Sequence, residues 1–393
     1  MTGTRLLLTA ALAAALLAPL PARADFQAFV QGLWPQAQAR GVPKPVFDSA
    51  FRGMKPDPDV LKLARKQPEF KSTSAQYIVR RASALRIEKG MMKAREWDDV
   101  LGHIEASFGV DRFIVLSVWG NETNFGGYLG GHNVLQAMAT LAYRGYRADF
   151  FRRELLHALE ILVEGHTTPG NMVGSWAGAM GHTQFMPSSF KAYAVDVTGD
   201  GRRDIWTTIP DALASTANYL KVHGWRPGEA WGYEVLLPSG LAAAKGQTHT
   251  LADWQRRGVK RANGQAFPRP GDQGRLLLPG GPHGPAFLVL PNFRVIKRYN
   301  NSDNYALAVG HLADRIRGGG PFVTPWPLDQ LMTQKEREEI QTLLARRGFD
   351  PGGVDGKFGP KTRDAIRAFQ AATGTAVDGN YTPDVLERLR AAQ

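Results

Sequence analysis

The chain contains no cysteine. That excludes disulfide staples, thiolate metal sites and a cysteine nucleophile. Acids are in short supply: 36 Asp and Glu face 48 Lys and Arg, a formal net charge of +12. Such a surplus suits a polyanionic partner. The bases are scattered among acids rather than gathered in a run, which argues against nucleic acid. Long apolar runs are scarce as well. The candidate from Leu6 to Ala18 is shorter than the ~20 residues a membrane-spanning helix needs. It follows Arg5, is broken by Pro19 and Pro21, and leads to Ala22-Arg23-Ala24 ahead of Asp25. This is the pattern of a secretory signal peptide over residues 1–24, so no transmembrane anchor is expected.

What is present is organised around one carboxylate. Phe113-Ile-Val-Leu-Ser-Val-Trp119 is too apolar for a surface segment and predicts a core helix. Asp111 is its expected N-cap, and Gly126-Gly127 its expected stop. Glu122 ends that helix between Trp119 and Phe125. Aromatic neighbours would desolvate its carboxyl and keep it protonated near neutral pH, as a general acid requires. A structural pairing with an arginine would account for a buried Glu equally well. A second stretch, from Gly174 to Ser189, packs small residues and two methionines around Gln184, which allows close backbone approach to a ligand.

Trp119-Gly-Asn-Glu-Thr-Asn-Phe-Gly126 and Gly174-Ser-Trp-Ala-Gly-Ala-Met-Gly-His-Thr-Gln184 together resemble the lytic murein transglycosylases of the membrane-bound type B family. The resemblance runs from Asp25 to about Arg317. It includes Leu135-Gln-Ala-Met-Ala-Thr-Leu141, Ala217-Asn-Tyr-Leu-Lys-Val-His-Gly-Trp225 and Leu290-Pro-Asn-Phe-Arg-Val-Ile-Lys-Arg-Tyr-Asn300. It implies a mainly α, lysozyme-like catalytic domain over residues 25–317 that cleaves the MurNAc–GlcNAc bond of peptidoglycan glycan strands. Glu122 would act first as acid and then as base, leaving a 1,6-anhydro sugar, with no catalytic cofactor. Ser175, Gln184, Arg147, Tyr219, Tyr299, Asn300 and Tyr305 match positions of the glycan cleft, although core packing is the commoner fate of a tyrosine. The loop Arg144-Gly-Tyr146 is shorter than the family norm. Many relatives carry a lipid-bearing cysteine after the leader. Its absence here predicts a soluble exported protein, and the resemblance implies a periplasmic one, expected to be a monomer.

The coarse pattern agrees. Residues 25–110 alternate apolar and basic positions at helical spacing, with their Arg and Lys expected on solvated faces. Further helices are predicted over residues 148–164 and from Asp211 to His223, and Asp149 reads as exposed. Short β-prone runs from Arg275 to Leu278 and from Ala286 to Leu290 predict a small β-rich insertion between Glu234 and Val295. A hydrolase of the same bond needs a second carboxylate, and none stands in a credible position. A non-catalytic wall-binding protein is the other alternative.

Asp196-Val-Thr-Gly-Asp-Gly-Arg-Arg-Asp204 has the first nine positions of an EF-hand loop. Asp196, Thr198, Asp200 and Asp204 would be ligands, with the Arg202 carbonyl at position 7. Position 12 is Thr207 instead of Glu, and the resemblance suggests Asp211 in its stead. A structural Ca²⁺ is the expectation. An Asp/Gly turn without an ion is the alternative.

Gly318-Gly-Gly-Pro-Phe-Val-Thr-Pro-Trp-Pro327 reads as part of a Gly/Pro linker over residues 318–330. In residues 331–393, Thr333 and Glu336 form a capping box, and Val354-Asp-Gly356 is echoed by Val377-Asp-Gly379. Asp355-Gly-Lys-Phe-Gly-Pro-Lys-Thr362 and Ala365-Ile-Arg-Ala-Phe-Gln370 resemble the three-helix peptidoglycan-binding domain found on cell-wall hydrolases.

Overall fold

A computed structural model describes residues 25–65 and 72–391. The predicted leader lies outside the described residues. The part ahead of residue 318 is mainly helical and has two apolar cores side by side. The first gathers the helices Ser74–Arg81, Ala84–Glu96, Asp98–Phe108, Arg112–Thr123, Ile209–Val222, Pro291–Tyr299 and Asp303–Ile316. The second gathers four short N-terminal helices, from Phe26–Gln31 to Pro58–Arg65, around Val134–Tyr143 and Ala148–Val163. Tyr219 and Tyr299 pack against both cores and mark the seam between them.

The helix Arg112–Thr123 has no solvated face over its middle turns: Ile114 to Asn121 are all buried. Asp111 caps its start, accepting from the amides of Phe113 (2.9 Å) and Ile114 (3.2 Å). Ser117, fully enclosed, donates its hydroxyl to the Val309 carbonyl at 2.6 Å, locking this helix to Asp303–Ile316. The helix ends earlier than the glycine pair. Asn124, Phe125 and Gly126 take three successive left-handed conformations, which fold the Phe125 ring back over Gly120. A β-carbon on Gly120 would lie 2.5 Å from Phe125 Cζ, so only glycine fits beneath the ring.

A five-stranded antiparallel sheet, in the order Thr248–Thr250, Gln273–Leu277, Ala286–Val289, Gly232–Leu236, Lys260–Arg261, forms the insertion. Its core is built on Trp254, wholly buried, whose indole donates to the Gly274 carbonyl at 2.8 Å.

The segment read as a linker is bound along its length. Glu234 accepts from the amides of Val323 (2.9 Å) and Thr324 (2.8 Å). Phe322 stacks on His311 at 3.8 Å and meets Phe287 edge-on at 4.9 Å. Helix Leu328–Leu331 then lies against Ser74–Arg81, where Thr73 and Gln76 donate to the carbonyls of Gln330 and Met332. The aromatic residues explain the difference: a flexible tether would leave Phe322 and Trp326 in water.

The C-terminal module has the helices Gln334–Arg346, Pro360–Ala372 and Pro383–Ala391 around one core, with the Thr333–Glu336 capping box formed. The sequence echo has a physical basis. Gln341 accepts from the amides of Asp355 (3.0 Å) and Gly356 (2.7 Å), and Gln370 accepts from those of Asp378 (3.1 Å) and Gly379 (2.9 Å). Each Asp-Gly turn is thus held by a buried glutamine of the preceding helix.

Gly120→Ala should cost about 1–3 kcal/mol, the usual range for overpacking a filled core. Thermal melting checks this, and an unchanged melt would mean that the Phe125 ring moves aside freely.

Candidate active site

Glu122 sits half-buried in the last turn of its helix, with protein packed closely about it. Burial pushes its pKa up to about 7, against opposing contributions from the Tyr305 hydroxyl and the Arg81 charge. The helix carbonyl end adds to the cost of ionisation, because its partial negative charge disfavours a carboxylate. Tyr305 donates its hydroxyl to Glu122 Oε1 at 2.6 Å. Oε2 takes no hydrogen bond from the described residues and is not sealed from solvent. The proton of the neutral acid therefore belongs on Oε2, the oxygen free to reach a ligand. The charged group that acts on Glu122 is Arg81, and no second carboxylate does so among the described residues.

Three elements close the site. Tyr305 comes from the first turn of Asp303–Ile316, which Ser302 caps. Tyr299, at the end of Pro291–Tyr299, stacks 6.5 Å from Tyr305 and donates to the Thr183 carbonyl at 2.7 Å. Burial and the neighbouring Glu122 hold both phenols well above the ordinary tyrosine pKa, so they stay neutral donors. From the other side comes the loop around Gln184. The strand pair His132–Asn133 with Val173–Gly174 and the bridges of Met180 to Gly174 and Phe185 shape it.

The predicted residues divide by what their polar atoms do. Ser175 Oγ accepts from the amides of Ala177 (3.3 Å) and Ala179 (3.0 Å), closing a tight loop. Gln184, at a positive φ of 52°, donates to the carbonyls of Leu129 (3.0 Å) and Gly181 (2.9 Å). Both residues shape the loop while remaining partly exposed. Tyr219 donates to the Arg298 carbonyl at 2.6 Å, lies 4.8 Å from Tyr299, and has its pKa pushed up to about 12 by burial. Asn300 is exposed at the end of the Pro291–Tyr299 helix. Arg147 is exposed, caps Ala148–Val163 in a left-handed conformation, and lies 4.2 Å over the Phe150 ring. It is not among the groups that shift Glu122. Asp149 is exposed beside Arg152.

Sequence reasoning missed two features. His182 accepts the Trp119 indole proton on Nδ1 at 3.0 Å, and burial lowers its pKa, so a neutral imidazole joins the loop to the acid's helix. The contact spans 63 positions and leaves no local trace. The second is a correction: Arg81, expected on a solvated face, turns inward. It donates to the Asn121 carbonyl at 2.5 Å and lies 5.5 Å from the Tyr77 ring.

In the acidic loop, one oxygen each from Asp196, Asp200 and Asp211 lies within 4.8 Å of the others. Asp211 is fully buried, and its pKa is raised by burial, with the Asp196 charge adding to the rise. Thr198 Oγ1 stands between Asp196 (3.2 Å) and Asp211 (3.5 Å). Asp204 departs from the EF-hand reading. Its carboxylate accepts from the amides of Trp206 and Thr207, both at 2.9 Å, and caps that turn. The Arg202 guanidinium pairs with Asp200 at 3.3 Å.

The fold is that of a lysozyme-like domain with a small sheet, followed by a helical C-terminal module. The Transglycosylase SLT domain model matches residues 25–314, and the chain belongs to that family. A peptidoglycan binding domain model matches residues 333–389. Membrane-bound lytic murein transglycosylase B of Escherichia coli is 35% identical over 236 residues, 58% of this chain and 63% of that protein. The match therefore spans less than two thirds of that relative. The structure of SltB3 from Pseudomonas aeruginosa in complex with NAG-NAM-pentapeptide is 47% identical and superposes with a TM-score of 0.76, covering 93% of this chain and all of that one. The Escherichia coli lytic transglycosylase Slt35 in complex with calcium is 30% identical with a TM-score of 0.63, covering 74% and 92% respectively.

A carboxyl whose pKa rises on folding, from 4.5 to about 7, weakens the fold as pH climbs through that window and keeps the full penalty above it. Glu122→Gln removes the penalty. The variant should match the parent near pH 4 and exceed it by about 3 kcal/mol at pH 8. Denaturant titrations at the two pH values check this, and equal stabilities at pH 8 would contradict the raised pKa.

Proposed function

We propose that this chain is a peptidoglycan lytic transglycosylase. It cleaves the β-1,4 bond between MurNAc and GlcNAc and closes the MurNAc end into a 1,6-anhydro ring. The observation that carries the reading is a single acid whose pKa is raised to about 7, with one free oxygen and no second carboxylate acting on it among the described residues. An ordinary hydrolase of this bond uses two carboxylates. A scaffold needs no protonatable group held at the end of a buried helix.

In the first half, Glu122 Oε2 gives its proton to the glycosidic oxygen. The bond from that oxygen to C1 breaks, and GlcNAc leaves with the proton. The N-acetyl group of the same sugar offsets the charge at C1. In the second half the Glu122 carboxylate takes the proton of the C6 hydroxyl. O6 bonds to C1, and Glu122 returns to its starting state. No water is consumed, and the cyclisation draws on proximity within one sugar. Tyr305 steadies Oε1 in both halves. Ser175, Gln184, Tyr219, Tyr299 and Asn300 shape and line the cleft, where amide groups suit N-acetyl sugars and aromatic faces suit sugar rings. We place Arg147 at the outer rim. SltB3 in complex with NAG-anhNAM-pentapeptide, 46% identical to this chain, supports an anhydro product.

The C-terminal module would hold the glycan substrate. We read the chain as a periplasmic monomer. The leader pattern supports export, and no helix of the described residues is long and apolar enough to cross a membrane.

We assign a structural Ca²⁺ to Asp196, Asp200 and Asp211, assisted by Thr198. Hard carboxylate oxygens suit that ion, and a cation would offset the charge of a buried Asp211.

Glu122→Gln should lose at least the 10²–10⁴-fold that one acid–base group contributes, because both halves fail together. It should still bind sacculi. Mass spectrometry of the digests checks it: the parent releases products lighter by one water than hydrolysis products, and the variant releases none. Retained turnover would sink the mechanism.

Calcium at a hundred times its Kd should stabilise the fold by about 2.7 kcal/mol, read as a higher Tm. Asp211→Asn should abolish that rise. A parent Tm indifferent to calcium would remove the ion from the loop.

A further inference from the structure

The negative end of the Arg112–Thr123 helix should be a poor place for a carboxylate to form, yet a group that alternates between acid and base must form one. Three cations from the segment 81–89 gather at that end. Arg81 Nη1 donates to the Asn121 carbonyl at 2.5 Å, one residue before Glu122. Arg86 Nε donates to Asn124 Oδ1 at 3.3 Å, and Lys89 Nζ to the Asn124 carbonyl at 2.8 Å. Arg86 also reaches back to the carbonyls of Arg80 (3.2 Å) and Arg81 (3.1 Å), fixing the end of the helix that carries Arg81. Positive charge on helix-terminal carbonyls offsets the helix dipole.

We propose that Arg81 is a positioning residue for the reaction: it caps the helix that carries Glu122 and stabilises the carboxylate that exists between the two half-reactions. It acts on Glu122 through its charge and not through a hydrogen bond, since its guanidinium is given to the Asn121 carbonyl. This rests on the reading of Glu122 given above. The groups that face Glu122 are Tyr77 and Arg81 from Ser74–Arg81, Tyr299 from Pro291–Tyr299, and Tyr305 from Asp303–Ile316, with Arg80 and Arg86 behind Arg81. The phenols stay neutral across the working range. Arg81 is the fixed charge among the groups that shift Glu122 directly.

Arg81 offers a hydrogen bond and a charge, and two variants separate them. Arg81→Gln keeps a donor for Asn121 and loses the charge. Arg81→Lys keeps the charge and loses the planar fork. The readout is the pH profile of anhydro-muropeptide release, whose alkaline limb reports loss of the Glu122 proton, with melting followed alongside. In Arg81→Gln the limb should move up by about one pH unit, the low end of the effect of a nearby opposite charge. The plateau kcat should fall about tenfold, the equivalent of one such unit, while KM stays near the parent value. In Arg81→Lys the limb should stay where the parent has it. A limb that stays put in Arg81→Gln, or moves equally in both variants, would overturn the inference and leave the role of Glu122 intact. Turnover by Glu122→Gln, measured in the same series, would overturn both.

Discussion

The structure depends on placing one carboxyl where water and helix electrostatics both oppose its ionisation. The Arg112–Thr123 helix is enclosed over its middle turns, so its final turn delivers Glu122 to the seam between two apolar cores. The left-handed turn at Asn124, Phe125 and Gly126 stops the helix within two residues of the acid and seals its flank with an aromatic ring. Opposing this, Tyr305 and Arg81 hold the pKa near neutrality rather than far above it. The balance matters more than either side. A fully desolvated carboxyl would give up its proton too rarely, and a solvated one would have none to give.

The seam supplies the rest. Tyr219 and Tyr299 belong to both cores, and their hydroxyls are taken by backbone carbonyls, Arg298 and Thr183. The two rings are therefore fixed by the bonds their hydroxyls make to backbone. Ser175 and Gln184 follow the same rule, since their polar atoms hold loop backbone. In the proposed cleft these groups are held before a ligand arrives, which lowers the ordering cost of binding.

Much of this was legible in the sequence where the cause is local. Asp111 as cap, the apolar run to Trp119 and the aromatic residues around Glu122 are neighbours in the chain. The Thr333–Glu336 box and the paired Asp-Gly turns carry short-range signatures of the same kind. Where the cause lies across the chain, sequence patterning fails. Tyr305 meets Glu122 across 183 positions, and nothing in its own segment names that partner. Arg81 looked solvated because a basic residue on an amphipathic helix usually is. It turns inward because a buried helix end nearby has carbonyls to satisfy. Asp204 fits a loop template by spacing, but the turn it starts takes its carboxylate first.

The bonded strap from Gly318 to Leu331 changes how the wall-binding module can contribute. A module on a loose tether raises the local concentration of polymer equally for every way a strand can lie. A module held by Glu234, Phe322 and the Thr73–Gln330 contact works instead as a bracket. It rewards only strands whose course from module to cleft fits the fixed span between them. For the glycan strands proposed as substrate, which have a direction, the strap would then be a filter on orientation.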